Sequence, residues 1–170
     1  MASTSIYGIV FIIGTSIKVF ICCKAEEYRN FLTTMWEKFV YYKDSHTKFV
    51  LKDHLWTLFL YENGLFNIDI NNPNDLILDG CRCGISHMTV LSDGTVYACR
   101  RCESPVGKVP EESLYVIFFS EKMQQYRQYN KFEECSKCKL KNFCRGCPSV
   151  AKCLSGNFYS KDPQCWKTIK

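Results

Sequence analysis

The sequence lacks the positive charge that secretion would need at its start, and it has no uninterrupted apolar run of membrane length. It also has no internal repeat and no low-complexity tract. Met1 to Gly8 contains no Lys or Arg, and Cys22-Cys23-Lys24 is a poor cleavage site, so a signal peptide is not expected. Residues 7–23 are apolar, but a membrane span wants about 20 uninterrupted apolar residues. Lys18 interrupts this run, behind Gly14-Thr15-Ser16. The run reads better as two β-branched strands, Ile6–Ile13 and Ile17–Cys22, split by that turn. A membrane-anchored protein is the alternative if residues 7–23 partition into lipid. The 22 Lys and Arg exceed the 17 Asp and Glu by only five and form no block or stripe, so no nucleic-acid partner is expected. The expected setting is cytoplasmic, with thiols reduced and membrane contact unlikely.

What the chain has in excess is cysteine, 12 in 170 residues. Dense cysteine means disulfides in an oxidising compartment and metal in a reducing one. Its distribution divides the chain. Residues 1–76 hold only the pair Cys22-Cys23, and residues 77–170 hold the other ten, with a break at the turn-forming Asn71-Asn72-Pro73-Asn74-Asp75.

In the first region, Tyr28, Phe31, Leu32, Met35, Trp36, Phe39 and Val40 recur at three- and four-residue steps, predicting a helix over 25–42. Thr47 to Leu51 reads as a short strand. Lys52 to Tyr61 suits a buried helix, ended by Asn63-Gly64. In the second region, Met88–Leu91 and Thr95–Cys99 flank Ser92-Asp93-Gly94, the pattern of a β-hairpin. Ser113 to Tyr129 reads as one helix capped by Ser113, with Leu114, Ile117, Phe118 and Tyr126 inward. Residues 133–170 are cysteine-rich with little periodicity.

The cysteines fall as Cys81-x-Cys83, Cys99-x2-Cys102 and Cys135-x2-Cys138-x5-Cys144-x2-Cys147, followed by Cys153 and Cys165. Two Cys-x2-Cys pairs five residues apart crowd four sulfurs, and thiolates so close need a cation between them. Zinc knuckles usually stand a dozen or more residues apart. A [4Fe–4S] cluster is often served by closer cysteines. Spacing favours iron–sulfur and leaves zinc and disulfides open.

The ordered run Cys81, Asp93-Gly94-Thr95-Val96-Tyr97-Ala98-Cys99-Arg100, Val106-Gly107-Lys108, the four-cysteine knot with Arg145-Gly146, and Asp162-Pro163-Gln164-Cys165 closely resembles the SPASM domain. That module carries the auxiliary clusters of many radical SAM enzymes, and the resemblance covers about residues 78–166. It implies one or two [4Fe–4S] clusters. Cys81, Cys99 and Cys147 would hold the first, with Cys83 or Cys102 as a further ligand or an iron left open. Cys135, Cys138, Cys144 and Cys165 would hold the second. Two residues separate Cys144 from Cys147 where the family often has three.

The resemblance implies electron transfer or substrate anchoring during maturation of a peptide or protein. The partners it implies are the substrate peptide or protein, an electron donor or acceptor protein, and a separate radical SAM barrel chain if this one stands alone. The Cys-x3-Cys-x2-Cys that binds S-adenosylmethionine is absent from this sequence. S-adenosylmethionine is thus expected only in a longer enzyme or a partner, and no catalytic residue is assigned here.

The expected class is α+β. Residues 1–76 would be a partial α/β-barrel tail of one or two strand–helix units. Residues 77–170 would be a small irregular domain with a hairpin, a helix and cysteine-rich loops. Truncation of a longer enzyme is favoured over a stand-alone subunit. The rival from another class is a zinc-stabilised binding module with no redox role. His87 is expected to pack or hydrogen-bond rather than ligate, His46 and His54 to be structural, and Cys153 to be a free thiol. Arg100-Arg101 would offset cluster charge, and Trp166 would shield a cluster from solvent.

Overall fold

Residues 24–46, 49–51, 53–68 and 76–169 are described by a computed structural model. The strands expected within residues 6–22, and the composition break at 71–75, lie outside those residues. Helix α1 spans Ala25–Tyr41. The Lys24 amide donates to Glu27 at 2.9 Å, and Glu26 and Glu27 place negative charge on the first turn. Its buried stripe is narrower than the periodicity suggests. Tyr28 and Leu32 are buried and Met35 and Trp36 half-buried, whereas Phe31 and Val40 stay exposed. Helix α2, Trp56–Glu62, ends at Asn63 and Gly64 as expected. The short strand expected at 47–51 does not appear in residues 49–51, and residues 47 and 48 lie outside the description.

The hairpin forms where the Asp-Gly turn places it, with β1 Thr89–Val90 paired antiparallel to β2 Thr95–Tyr97. Asp93 takes both the amide and the hydroxyl of Thr95. Gly94 has φ +84°, and a Cβ there would meet the Val109 carbonyl at 2.2 Å. A third strand, β3 Pro105–Lys108, adds to the far side of β2 in the order β1-β2-β3. The periodicity did not reveal it, because four residues with a Pro and a Gly carry no alternation.

The single helix expected over 113–129 is broken into α3 Leu114–Phe119, α4 Glu121–Gln124 and two 3₁₀ turns, Gln125–Arg127 and Tyr129–Lys131. The break is Ser120. Its extended backbone ends α3, and its hydroxyl accepts from the Met123 amide to start α4, the local competition that disfavours serine inside helices. Ser113 does cap α3 through the Val116 amide. Ile117 and Tyr126 are buried as expected; Leu114 is exposed, so its inward placement is corrected. Between 133 and 169 the chain is not merely loops. Helix α5 spans Pro148–Ser155, opened by Pro148 in its first turn and closed by Gly156 in the left-handed region. The class is α+β.

Two cores result. One gathers Val96, Ala98, Val106, Ile117, Met123 and Tyr126 around Cys83, Cys99 and Cys102. The other packs α1 and α2, through Tyr28, Leu32, Leu55, Leu58 and Phe59, directly on Leu140 and Cys144 of the knot. No helix among the described residues is long and apolar enough to cross a membrane.

Candidate metal centre

The ten cysteines from Cys81 onward are all free thiols. The fold sorts most of them into two neighbourhoods. Cys81 lies within electrostatic reach of Cys147 and Cys99, and Cys99 is hydrogen-bonded to Cys102, Cys83 and His87. Cys144 feels Cys165, Cys135 and Cys138, and Cys135 feels Cys165 and Cys138. Sequence order does not dictate this division, since Cys147 leaves its knot partners for the hairpin group. Cys153, on α5, joins neither set of contacts. Among the described residues, no three His, Cys, Asp or Glu side chains converge closely enough for one metal ion. The grouping is one of neighbourhood rather than closed coordination.

A second pattern is local. The Arg101 amide donates to Cys99 Sγ at 3.4 Å and the Leu140 amide to Cys138 Sγ at 3.5 Å. The amides of Cys83, Gly146 and Lys167 also favour charge on the sulfurs of Cys81, Cys144 and Cys165, and those of Val150 and Ser149 do so at Cys147. Apart from Val150, which stands three residues on, each donor stands two residues after its cysteine. Six of the seven ligand candidates, all but Cys135, thus carry an amide turned onto sulfur, the arrangement that stabilises a thiolate. Cys83 instead donates to the Ala98 carbonyl, and Cys102 accepts from the Ser149 hydroxyl.

Charge is scarce at these sulfurs until something supplies it. Burial pushes the Cys81 thiol up to about 11, and those of Cys135 and Cys144 up to about 12. Burial also raises Cys147 and Cys165. Cys99 is the exception. The surrounding Cys102, Cys83, His87 and Ser149 side chains hold it well below the usual thiol range. The same contacts raise Cys102 and Cys83.

Residues that the cysteine spacing could not single out hold the two neighbourhoods in register. Asp162, 2% exposed, accepts the Cys147 amide at 2.6 Å through one carboxylate oxygen and the Gln164 amide at 2.9 Å through the other. Its carbonyl takes the Cys165 amide at 2.9 Å. One residue therefore ties the backbone of Cys147, in the hairpin group, to that of Cys165, in the knot. Ser104 accepts the Cys99 amide and bonds back to the Cys99 and Cys102 carbonyls, closing that loop. Ser149 at the start of α5 contacts Cys99 Sγ at 3.0 Å and Cys102 Sγ at 3.4 Å. Arg145 is buried between the groups and donates to the carbonyls of Lys141, Asp79 and Cys81.

The other expectations resolve individually. The backbone of His87 forms an isolated bridge with that of Cys83, and its side chain faces Cys99, as a hydrogen-bonding histidine would. His54 contributes its carbonyl, which takes the Cys144 S–H at 3.1 Å. Arg101 reaches Cys147 Sγ at 4.0 Å in addition to its amide bond to Cys99. Trp166 packs beside Cys165, its indole N–H on Glu62 and the Arg29 guanidinium over its ring.

Thiols alone, in two neighbourhoods, with amides at sulfur, make a donor set suited to iron–sulfur centres. The fold and these sulfurs define an iron–sulfur cluster-binding module. Residues 81–148 match the SPASM family model, described as an iron–sulfur cluster-binding domain, and the chain carries such a domain over that stretch. No curated protein and no solved structure matches this chain.

Proposed function

We propose that the chain holds two [4Fe–4S] clusters as the auxiliary module of a radical SAM system that matures a peptide or protein in the cytoplasm. Cys81, Cys99 and Cys147 hold one, with Cys83 or Cys102 completing it or leaving an iron open to substrate. Cys135, Cys138, Cys144 and Cys165 hold the other. The observation that carries this reading is the amide turned onto sulfur at six of those seven cysteines, combined with their division into two neighbourhoods. When bound, such clusters supply one-electron transfer. The chain's own residues do the rest. The amides and the Ser149 hydroxyl stabilise sulfur charge, Asp162 sets the spacing between the groups, and Trp56, Phe59 and Leu140 exclude water from the knot. Residues 1–76 then serve as the closing units of a barrel, which here seat the module through α1 and α2. S-adenosylmethionine chemistry belongs to a longer enzyme or a partner chain.

Anaerobic purification and reconstitution, followed by iron and acid-labile sulfide assays and Mössbauer spectroscopy, test the reading. Iron and sulfide in equal amounts, with a [4Fe–4S] spectrum, are expected. A colourless protein that retains only zinc would replace it with the structural binding module.

A further inference from the structure

Among the described residues Arg145 is the largest fully buried side chain, 2% exposed. Its guanidinium donates to three carbonyls, Lys141 at 2.6 Å, Asp79 at 3.0 Å and Cys81 at 3.2 Å, and lies 5.1 Å from the ring centre of Tyr129. Asp79 lends its carbonyl only; its carboxylate takes the Gly80 amide and sits 3.7 Å from Arg82. None of the ion pairs among the described residues includes Arg145. A guanidinium stays protonated at any ordinary pH, so a full positive charge is enclosed here with dipoles around it and no carboxylate paired to it. Burial works against that charge, and the nearby groups that favour it once they turn negative are Cys81, Tyr129, Cys144 and Cys135, three of them sulfurs drawn from both neighbourhoods.

Resting on the cluster reading above, we infer that Arg145 is the buried counter-charge shared by the two sulfur groups, a positioning residue that stabilises their reduced, more negative state. The physical reason is that a cluster gains negative charge on reduction, and a fixed cation in a poorly screened interior favours the more negative form. The carbonyl fork anchors that cation through the backbone of Cys81 and of Lys141, so its distance to the sulfurs cannot relax as a surface lysine's would.

The test uses the full chain, reconstituted with iron and sulfide, and compares wild type with Arg145→Gln and Arg145→Lys. Iron content and EPR-monitored redox titration are the readouts. Arg145→Gln keeps hydrogen-bond donors and loses the charge. It is expected to lower at least one midpoint potential by a tenfold change in the reduced-to-oxidised ratio, about 59 mV for a one-electron couple. Arg145→Lys keeps the charge and is expected to stay closer to wild type. Loss of iron by Arg145→Gln with retention by Arg145→Lys also supports the inference. Unchanged potentials in a fully loaded Arg145→Gln overturn it. Equal loss of iron, or equal shifts, in both variants overturn it too, because the role is then structural. Wild type that takes up no iron sinks the cluster reading itself, a result recognisable before any variant is compared.

Discussion

Replacing Gly146 by alanine acts at the contact that joins the two sulfur groups. Gly146 has φ +61°, and a Cβ there would stand 2.4 Å from Asp162 Cβ and 2.9 Å from its Oδ2. Two penalties follow. A non-glycine residue in the left-handed region costs about 1–2 kcal/mol. Forcing an extra methyl into a filled site costs about 1–3 kcal/mol more. Together they amount to about 2–5 kcal/mol, or roughly 4–20 °C in melting temperature for a chain of this size. Asp162 must also move, and with it the 2.6 Å bond to the Cys147 amide. Gly64→Ala is the matched control: φ is +70° and no atom lies within 4 Å of the added Cβ, so it meets the backbone penalty alone. Anaerobic thermal melts of the reconstituted protein and the rate of iron loss to a ferrous chelator read both effects. Gly146→Ala should melt below Gly64→Ala and release iron faster. If the two variants melt together and hold iron equally, the packing argument fails.

Asp162→Asn keeps the shape but turns an amino group toward one of the two amides the carboxylate accepts, so it should destabilise by about 2–4 kcal/mol, the scale of charged hydrogen bonds left partly unmade. Combined with Gly146→Ala it should fall short of the sum in a double-mutant cycle, since both break the same contact. Cys144→Ser and Cys147→Ser should each remove about half of the iron with different residual EPR spectra, as expected of ligands to different clusters; identical residual spectra would merge the two groups into one. The raised thiols set a pH dependence. Cys81 (about 11) and Cys135 and Cys144 (about 12) hold their protons at pH 7 without metal, and a ligated sulfur has lost its proton. Loading therefore releases protons and weakens as pH falls. Anaerobic calorimetry of loading in buffers of unlike ionisation enthalpy should read at least those three protons per chain.

Some of this was legible in one dimension because the interactions are local. The Asp-Gly turn specifies the hairpin within five residues, Ser113 announces the start of α3, and the stripe from Tyr28 to Trp36 announces α1. The broken helix after Ser113 was not legible. Its apolar periodicity runs on past Ser120, and the serine's choice of capping over continuation depends on Met123 and Ile117 finding the sheet. Strand β3 was hidden for a related reason: Pro105 and Gly107 have poor strand propensity, and pairing to β2 supplies what they lack.

At the sulfurs the division of labour is similar. Order and spacing along the chain determined which cysteines are available and that their density calls for a cation, because crowded thiolates repel whatever the fold. Spacing left open which sulfurs are neighbours, a matter that packing decides. The folded chain sends Cys147 across to Cys81 and Cys99, keeps Cys165 with the knot, and places Asp162 and Arg145 between the groups. Those contacts join residues far apart in the chain, and only packing of α1, α2 and the sheet around a common interior brings them together.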